Sequence, residues 1–209
     1  MNERRSPRIS TRKEPKQARS NDLVTAILDA AVQVLEKEGA QRFTTARVAE
    51  RAGVSVGSLY QYFPNKAAIL FRLQSDEWRQ TTEMLRGLLA DEGQAPLQRL
   101  RNLVHAFIRS ECEEARMRIA LSDAAPLYRD APEAREAKAA GAGIFQAFIA
   151  QVLPLTSESQ RTLARELITS TLGSVGKQFS ESPRSSEEIE AFSGAMADMF
   201  CAYLESLAK

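Results

Sequence analysis

From Gly53 to Asn65 the chain carries no charged side chain, yet it displays Ser55, Ser58, Tyr60, Gln61 and Tyr62 in close succession. A solvated helix normally presents Lys and Glu. Small and hydrogen-bonding groups without fixed charge instead suit insertion between base edges. Ahead of this stretch, residues 1–20 hold seven basic residues against two acidic ones. Arg12, Lys13, Lys16 and Arg19 belong to that arm, and such cations can neutralise phosphates. By composition alone the arm reads equally as a solvated tail.

Other chemistries find little material. His105 is the sole histidine, and Cys112 and Cys201 are far apart, so no zinc-ligand spacing can be assembled. Neither a glycine-rich phosphate loop nor a nucleophile–base pattern is present. No catalytic centre, metal or cofactor is expected. No run of 18 apolar residues exists, so no membrane-spanning helix is expected either. The N-terminus lacks the apolar core of a secretory signal, and two reduced cysteines suit the cytoplasm.

The elements that must position the uncharged stretch are helical. Alanine is the commonest residue at 31, while valine and isoleucine contribute 9 each, which favours helices over sheet. The chain of 209 residues is therefore expected to be all-α, with about nine helices. Ser20-Asn21-Asp22 offers N-caps to an amphipathic helix that Gly39 should end. Thr44-Thr45 caps a short helix over 46–52, Gly53 makes the turn, and Ser55 caps a second over 56–63. Two short helices joined by Ala-Gly-Val-Ser form a helix-turn-helix pattern. Pro64-Asn65 then opens a long helix, the natural lever between this head and the rest.

At this point a resemblance becomes specific. The stretch Phe43-Thr-Thr-Ala-Arg-Val-Ala-Glu-Arg-Ala-Gly-Val-Ser-Val-Gly-Ser-Leu-Tyr-Gln-Tyr-Phe-Pro-Asn-Lys66 resembles the DNA-binding signature of the TetR family of bacterial transcriptional regulators. The likeness covers roughly residues 23–70, and beyond it extends only to size and helical content. It implies that Thr45 and Arg47 touch phosphates, that Val56, Gly57, Ser58, Tyr60 and Gln61 stand at the major groove, and that Ser55 at the start of the same helix belongs to the DNA-binding set. It implies further that Tyr62 and Lys66 hold the flanking backbone. Packing in the core is the alternative reading for both tyrosines, and plain solvent exposure for Lys66.

The expected domains are a basic arm over 1–20, a DNA-binding head over 21–67 and a ligand-binding and dimerisation domain over 68–209. In the last, small residues near Gly141 and Gly143 alternate with bulky ones, a mixture that can leave a cavity. Trp78, Met84, Phe107, Met117, Tyr128, Phe145 and Phe148 could line an apolar pocket or simply be core, with His105 as a polar group there or on the surface. Apolar residues lie on more than one side of the last two helices, at Leu167, Thr171, Val175, Phe192, Met196, Met199 and Tyr203. That breadth suggests self-association, with Cys201 near its symmetry mate. The resemblance implies a homodimeric repressor that binds double-stranded, pseudo-palindromic operator DNA and is released by a small apolar or amphipathic effector. A helical protein-binding adaptor, or an all-helical enzyme, are the alternatives. Net charge is +5 in the arm, 0 over 21–70 and −4 beyond, so near-neutrality overall does not argue against DNA.

Overall fold

The computed structural model describes residues 9–11, 18–139 and 143–208, excluding the side chains of 18, 19, 138 and 139. Arg12, Lys13 and Lys16 lie outside the described residues, as does the side chain of Arg19. Among the described residues the secondary structure is helical and contains no strand. The helices are α1 (Ala18–Arg42), α2 (Thr45–Arg51), α3 (Val56–Tyr62), α4 (Lys66–Leu89) and α5 (Pro96–Glu113), followed by α6 (Ala115–Ala124), α7 (Pro132–Ala139), α8 (Ile144–Val152), α9 (Glu158–Ser180) and α10 (Ser186–Leu207).

The local signals act largely where they stand. Gly39 leaves helical geometry at φ 74°, ψ 172°, a conformation open mainly to glycine. Asn65 Oδ1 accepts the Ala68 N–H at 2.9 Å and caps α4. Pro96 occupies the first turn of α5, and Ser157–Gln160 and Ser185–Glu188 form capping boxes for α9 and α10. Two expectations differ. Ser20, Asn21 and Asp22 lie inside α1, which starts at Ala18. Asn21 and Asp22 are solvent-exposed there, so they cost the helix only a small propensity term. The sequence pattern over 133–153 predicts one helix, whereas the structure has α7 and α8 there.

Packing gathers the chain into two compact units that do not follow chain order. The first holds residues up to Trp78 and Arg116–Ala139, the second the remainder. In the first, Ile27, Leu35, Phe43, Val48, Leu59, Phe63 and Ile69 are fully buried, and so is Ile9 from the arm, at 2% exposure. The hydroxyl of Tyr128 donates to the Leu121 carbonyl at 3.0 Å, and its ring lies 5.9 Å from that of Phe71. Glu77, 6% exposed, pairs with Arg118 at 3.1 Å, as a buried carboxylate must if it is to stay ionised.

In the second unit α5 is the central element. Leu100, Leu103, Val104 and Ile108 are fully buried, each stabilising the unit by about 1.5–3 kcal/mol. Gly176 lets α9 approach α5 closely, since a Cβ there would stand 3.0 Å from Ile108 Cδ1 and 3.1 Å from Phe107 Cε1. Phe179 and Phe192 stack with centroids 3.9 Å apart, joining α9 to α10.

Candidate nucleic-acid interface

The interface is built by a short turn. Thr44 caps α2 by accepting the Arg47 N–H at 3.3 Å. At the other end Val54 N–H reaches the Ala49 carbonyl at 3.0 Å, closing the turn over Gly53. Gly53 takes φ 67°, the left-handed region where other residues are strained. Ser55 then caps α3, accepting the Ser58 N–H at 3.0 Å, and the two serine hydroxyls lie 2.8 Å apart.

The helix so started has two faces. Leu59 and Phe63 are fully buried. Val56 and Tyr60 are exposed at 40% and 39%, and Gly57 and Gln61 are exposed beside them. These four form two adjacent i,i+4 rows, a small uncharged patch with one amide and one phenol. Ser58 is half-buried and spends its backbone N–H on the cap. Gly57 keeps the backbone open to close approach, for the nearest atom to a Cβ placed there would be Ser55 Oγ at 3.7 Å.

Thr45, Arg47 and Lys66 lie on the helices that flank α3 in the chain. Thr45 Oγ1 lies 3.1 Å from the Tyr60 hydroxyl, so the start of α2 supports a side chain of the exposed face. Lys66 is half-buried at the start of α4. Arg47 is exposed, but its guanidinium is paired with Glu38 and also reaches the Arg42 carbonyl. Glu38 is a residue that sequence reasoning missed, because a pairing across the α1–α2 bend has no local signature. For Tyr62 the packing matches the alternative reading, that of a core side chain. At 5% exposure it belongs to the core with Leu59, three positions before it on the same helical face.

The remaining site residues divide between the two cores. Tyr128 is buried in the first unit and Met117 packs against that core. Phe145 and Phe148 are buried in the second unit, with Phe107 packed against them. Trp78 and Met84 are half-buried. His105 Nδ1 lies 2.9 Å from Ser193 Oγ and 3.2 Å from Glu190 Oε1. On α9 and α10, Leu167 and Met199 are exposed at 48% and 51%, and Leu163 joins them at 60%. Thr171, Val175, Phe192 and Tyr203 are half-buried. Met196 is 5% exposed and faces inward, one turn from Phe200. Cys201 is buried too, its thiol directed at the Leu97 carbonyl, and burial raises its pKa. Neither is available at the surface of this unit. Among the described residues no His, Cys, Asp and Glu cluster could hold a metal ion, and no helix is long and apolar enough to cross a membrane.

Comparison with known proteins assigns this arrangement. Residues 27–73 match the description "Bacterial regulatory proteins, tetR family". Residues 95–207 match "Tetracyclin repressor-like, C-terminal domain". The chain belongs to the TetR family. Among curated relatives, this TetR-family chain is 38% identical over 84 residues to the nucleoid occlusion factor SlmA of Vibrio campbellii, covering 39% of the chain and 42% of that protein. It is 30% identical over 115 residues to the HTH-type transcriptional repressor KstR of Rhodococcus jostii, covering 55% and 52%. The matches thus span about half or less of those proteins. The fold is shared with the transcriptional regulator FadR from Bacillus subtilis in complex with stearoyl-CoA, with a TM-score of 0.68 and 19% identity over 85% of this chain and 97% of FadR.

Proposed function

We propose that this TetR-family chain is a ligand-responsive transcriptional repressor that binds a pseudo-palindromic operator as a homodimer. The observation that carries this reading is the uncharged, exposed row of Val56, Gly57, Tyr60 and Gln61 on α3, held by a capped helix-turn-helix. In the dimer two α3 helices would enter successive major grooves. Gln61 would read a base edge, while Thr45, Arg47 and Lys66 fix register on phosphates. The exposed Leu163, Leu167 and Met199 support self-association through α9 and α10. The family, together with a fold neighbour solved with stearoyl-CoA, supports a small apolar or amphipathic effector in the C-terminal region. Release requires that the effector bind the DNA-competent and DNA-incompetent conformers unequally. Such a protein would act in the cytoplasm without a cofactor.

A catalytic reading has one superficial point in its favour, the Ser193, His105 and Glu190 cluster. Serine and carboxylate both address the same nitrogen, Nδ1, so no proton relay runs through the ring. The Ser193 hydroxyl is 1% exposed and donates to the Ile189 carbonyl at 2.7 Å, which suits a structural role. A mobility-shift assay with the DNA upstream of its own gene, backed by selection from random duplexes, tests the proposal. Sequence-specific, salt-sensitive binding is expected, and its absence in both experiments would overturn the reading.

A further inference from the structure

Arg99, in the first turn of α5, is 3% exposed. Its Nη1 donates to the carbonyl of Leu89, the last residue of α4, at 2.7 Å, and its Nη2 donates to Gln151 Oε1 at 3.1 Å. Its Nε is buried without a partner, and among the described residues no carboxylate pairs with the guanidinium. Nε and Nη2 lie along one edge of the planar group, the edge that a carboxylate engages through two parallel hydrogen bonds. Here that edge holds a single neutral amide oxygen, from an exposed glutamine. A buried cation is ordinarily matched by an anion, because neutral acceptors alone do not offset the loss of its hydration.

Arg99 lines a cleft of about 420 Å³ whose apolar walls include Leu89, Ile144, Ala147 and Phe148. The guanidinium carbon stands 6.0 Å from the centre of the Phe148 ring. Arg86 and Glu92 also border the cleft, and both are exposed. Their charges cancel, so the net charge of the cleft is that of Arg99. One positive charge with a half-used fork, set among apolar walls, matches a monoanion carrying an apolar body.

We propose that this cleft binds a small monocarboxylate, whose carboxylate displaces the Gln151 amide and takes the Nε–Nη2 edge of Arg99. The inference names the effector class of the regulator and rests on that reading. It is tested on the full chain by calorimetry with octanoate and decanoate against octanamide, an uncharged analogue of octanoate. The carboxylates should bind about tenfold or more tighter than the amide. Arg99→Lys, which keeps the charge and loses the fork, should remove most of that preference. Arg99 also caps α4, so Ala147→Phe provides a second variant that fills the cleft and leaves Arg99 in place; it should block binding with an unchanged melting temperature. Equal binding of acid and amide, or binding that survives both variants, would overturn the proposal. If an uncharged compound releases the operator while no carboxylate binds, this inference falls and the repressor stands. If carboxylates bind through Arg99 but no operator is found, the site stands and the repressor falls.

Discussion

The hydroxyls of Thr45 and Tyr60 lie 3.1 Å apart, joining the first turn of α2 to the exposed face of α3. Both groups are polar and near the surface, so the contact does little for stability; under the proposed function it would orient Tyr60 before DNA arrives. Tyr60→Phe and Thr45→Val should each leave the melting temperature nearly unchanged. Each should weaken operator binding by about 1 kcal/mol, or roughly fivefold. In a double-mutant cycle the two losses should add only in part, because both variants remove the same hydroxyl contact, while Thr45→Val also removes the proposed phosphate contact. Additive losses in a titrated mobility shift would show that the residues act separately.

Glu38 holds the Arg47 guanidinium in the free protein. On the proposed reading of Arg47, a phosphate would compete with this carboxylate for the same cation. Glu38→Gln should tighten operator binding and steepen its dependence on salt. Arg47→Ala should weaken binding and make the log–log salt slope shallower by about 1. Fluorescence anisotropy across a salt series gives both quantities.

Gly53 makes a left-handed turn and Gly57 lies on the exposed face of α3, where the proposed function needs close approach to DNA, and one substitution in each separates the two demands. Gly53 has φ 67° and open space around a Cβ, so Gly53→Ala is penalised by backbone strain alone, about 1–2 kcal/mol in urea unfolding. Gly57 lies within α3 with ordinary space beside it. Gly57→Ala should therefore match or exceed the stability of the parent, yet weaken operator binding by blocking close approach of the backbone.

Leu167 and Met199 are large apolar side chains exposed at 48% and 51%. A charge on each, in Leu167→Glu/Met199→Glu, should weaken self-association by about 2 kcal/mol or more. Sedimentation should then report a monomer at concentrations where the parent is a dimer, and operator affinity should fall with it. A dimer of unchanged strength would place the interface elsewhere.

The Glu188 carboxylate accepts the Ser185 N–H at 2.8 Å, and this backbone hydrogen bond, helped by the Ser185 hydroxyl, lowers its pKa. A carboxylate whose folded pKa is depressed stabilises the protein above its unfolded pKa, and that contribution is lost as pH falls through the folded one. Glu188→Gln keeps a side chain able to complete the capping box but cannot titrate. The parent should melt higher at neutral pH, and the difference between the two should close as the acid range is crossed.

Sequence alone determined the features whose causes lie within a few residues. Gly39, Gly53, Ser55, Asn65, Pro96 and the two capping boxes act through their own backbone and its nearest turn, so they could be read before any packing was known. The same holds for the uncharged α3 and for the Phe43 to Lys66 signature. Only tertiary structure decided which faces were covered. Tyr62 and Met196 follow helical periodicities that are compatible with either an inward or an outward face, and both are buried. Of the aromatic residues that could line a pocket or be core, Tyr128 lies in the first core, and Phe107, Phe145 and Phe148 lie in or against the second. Arg47 meets Glu38, and Arg99 loses its solvent to Leu89 and to Gln151, 52 positions away. Pairings at that separation depend on how helices dock, and docking is set by the summed fit of many side chains that no short stretch of sequence contains.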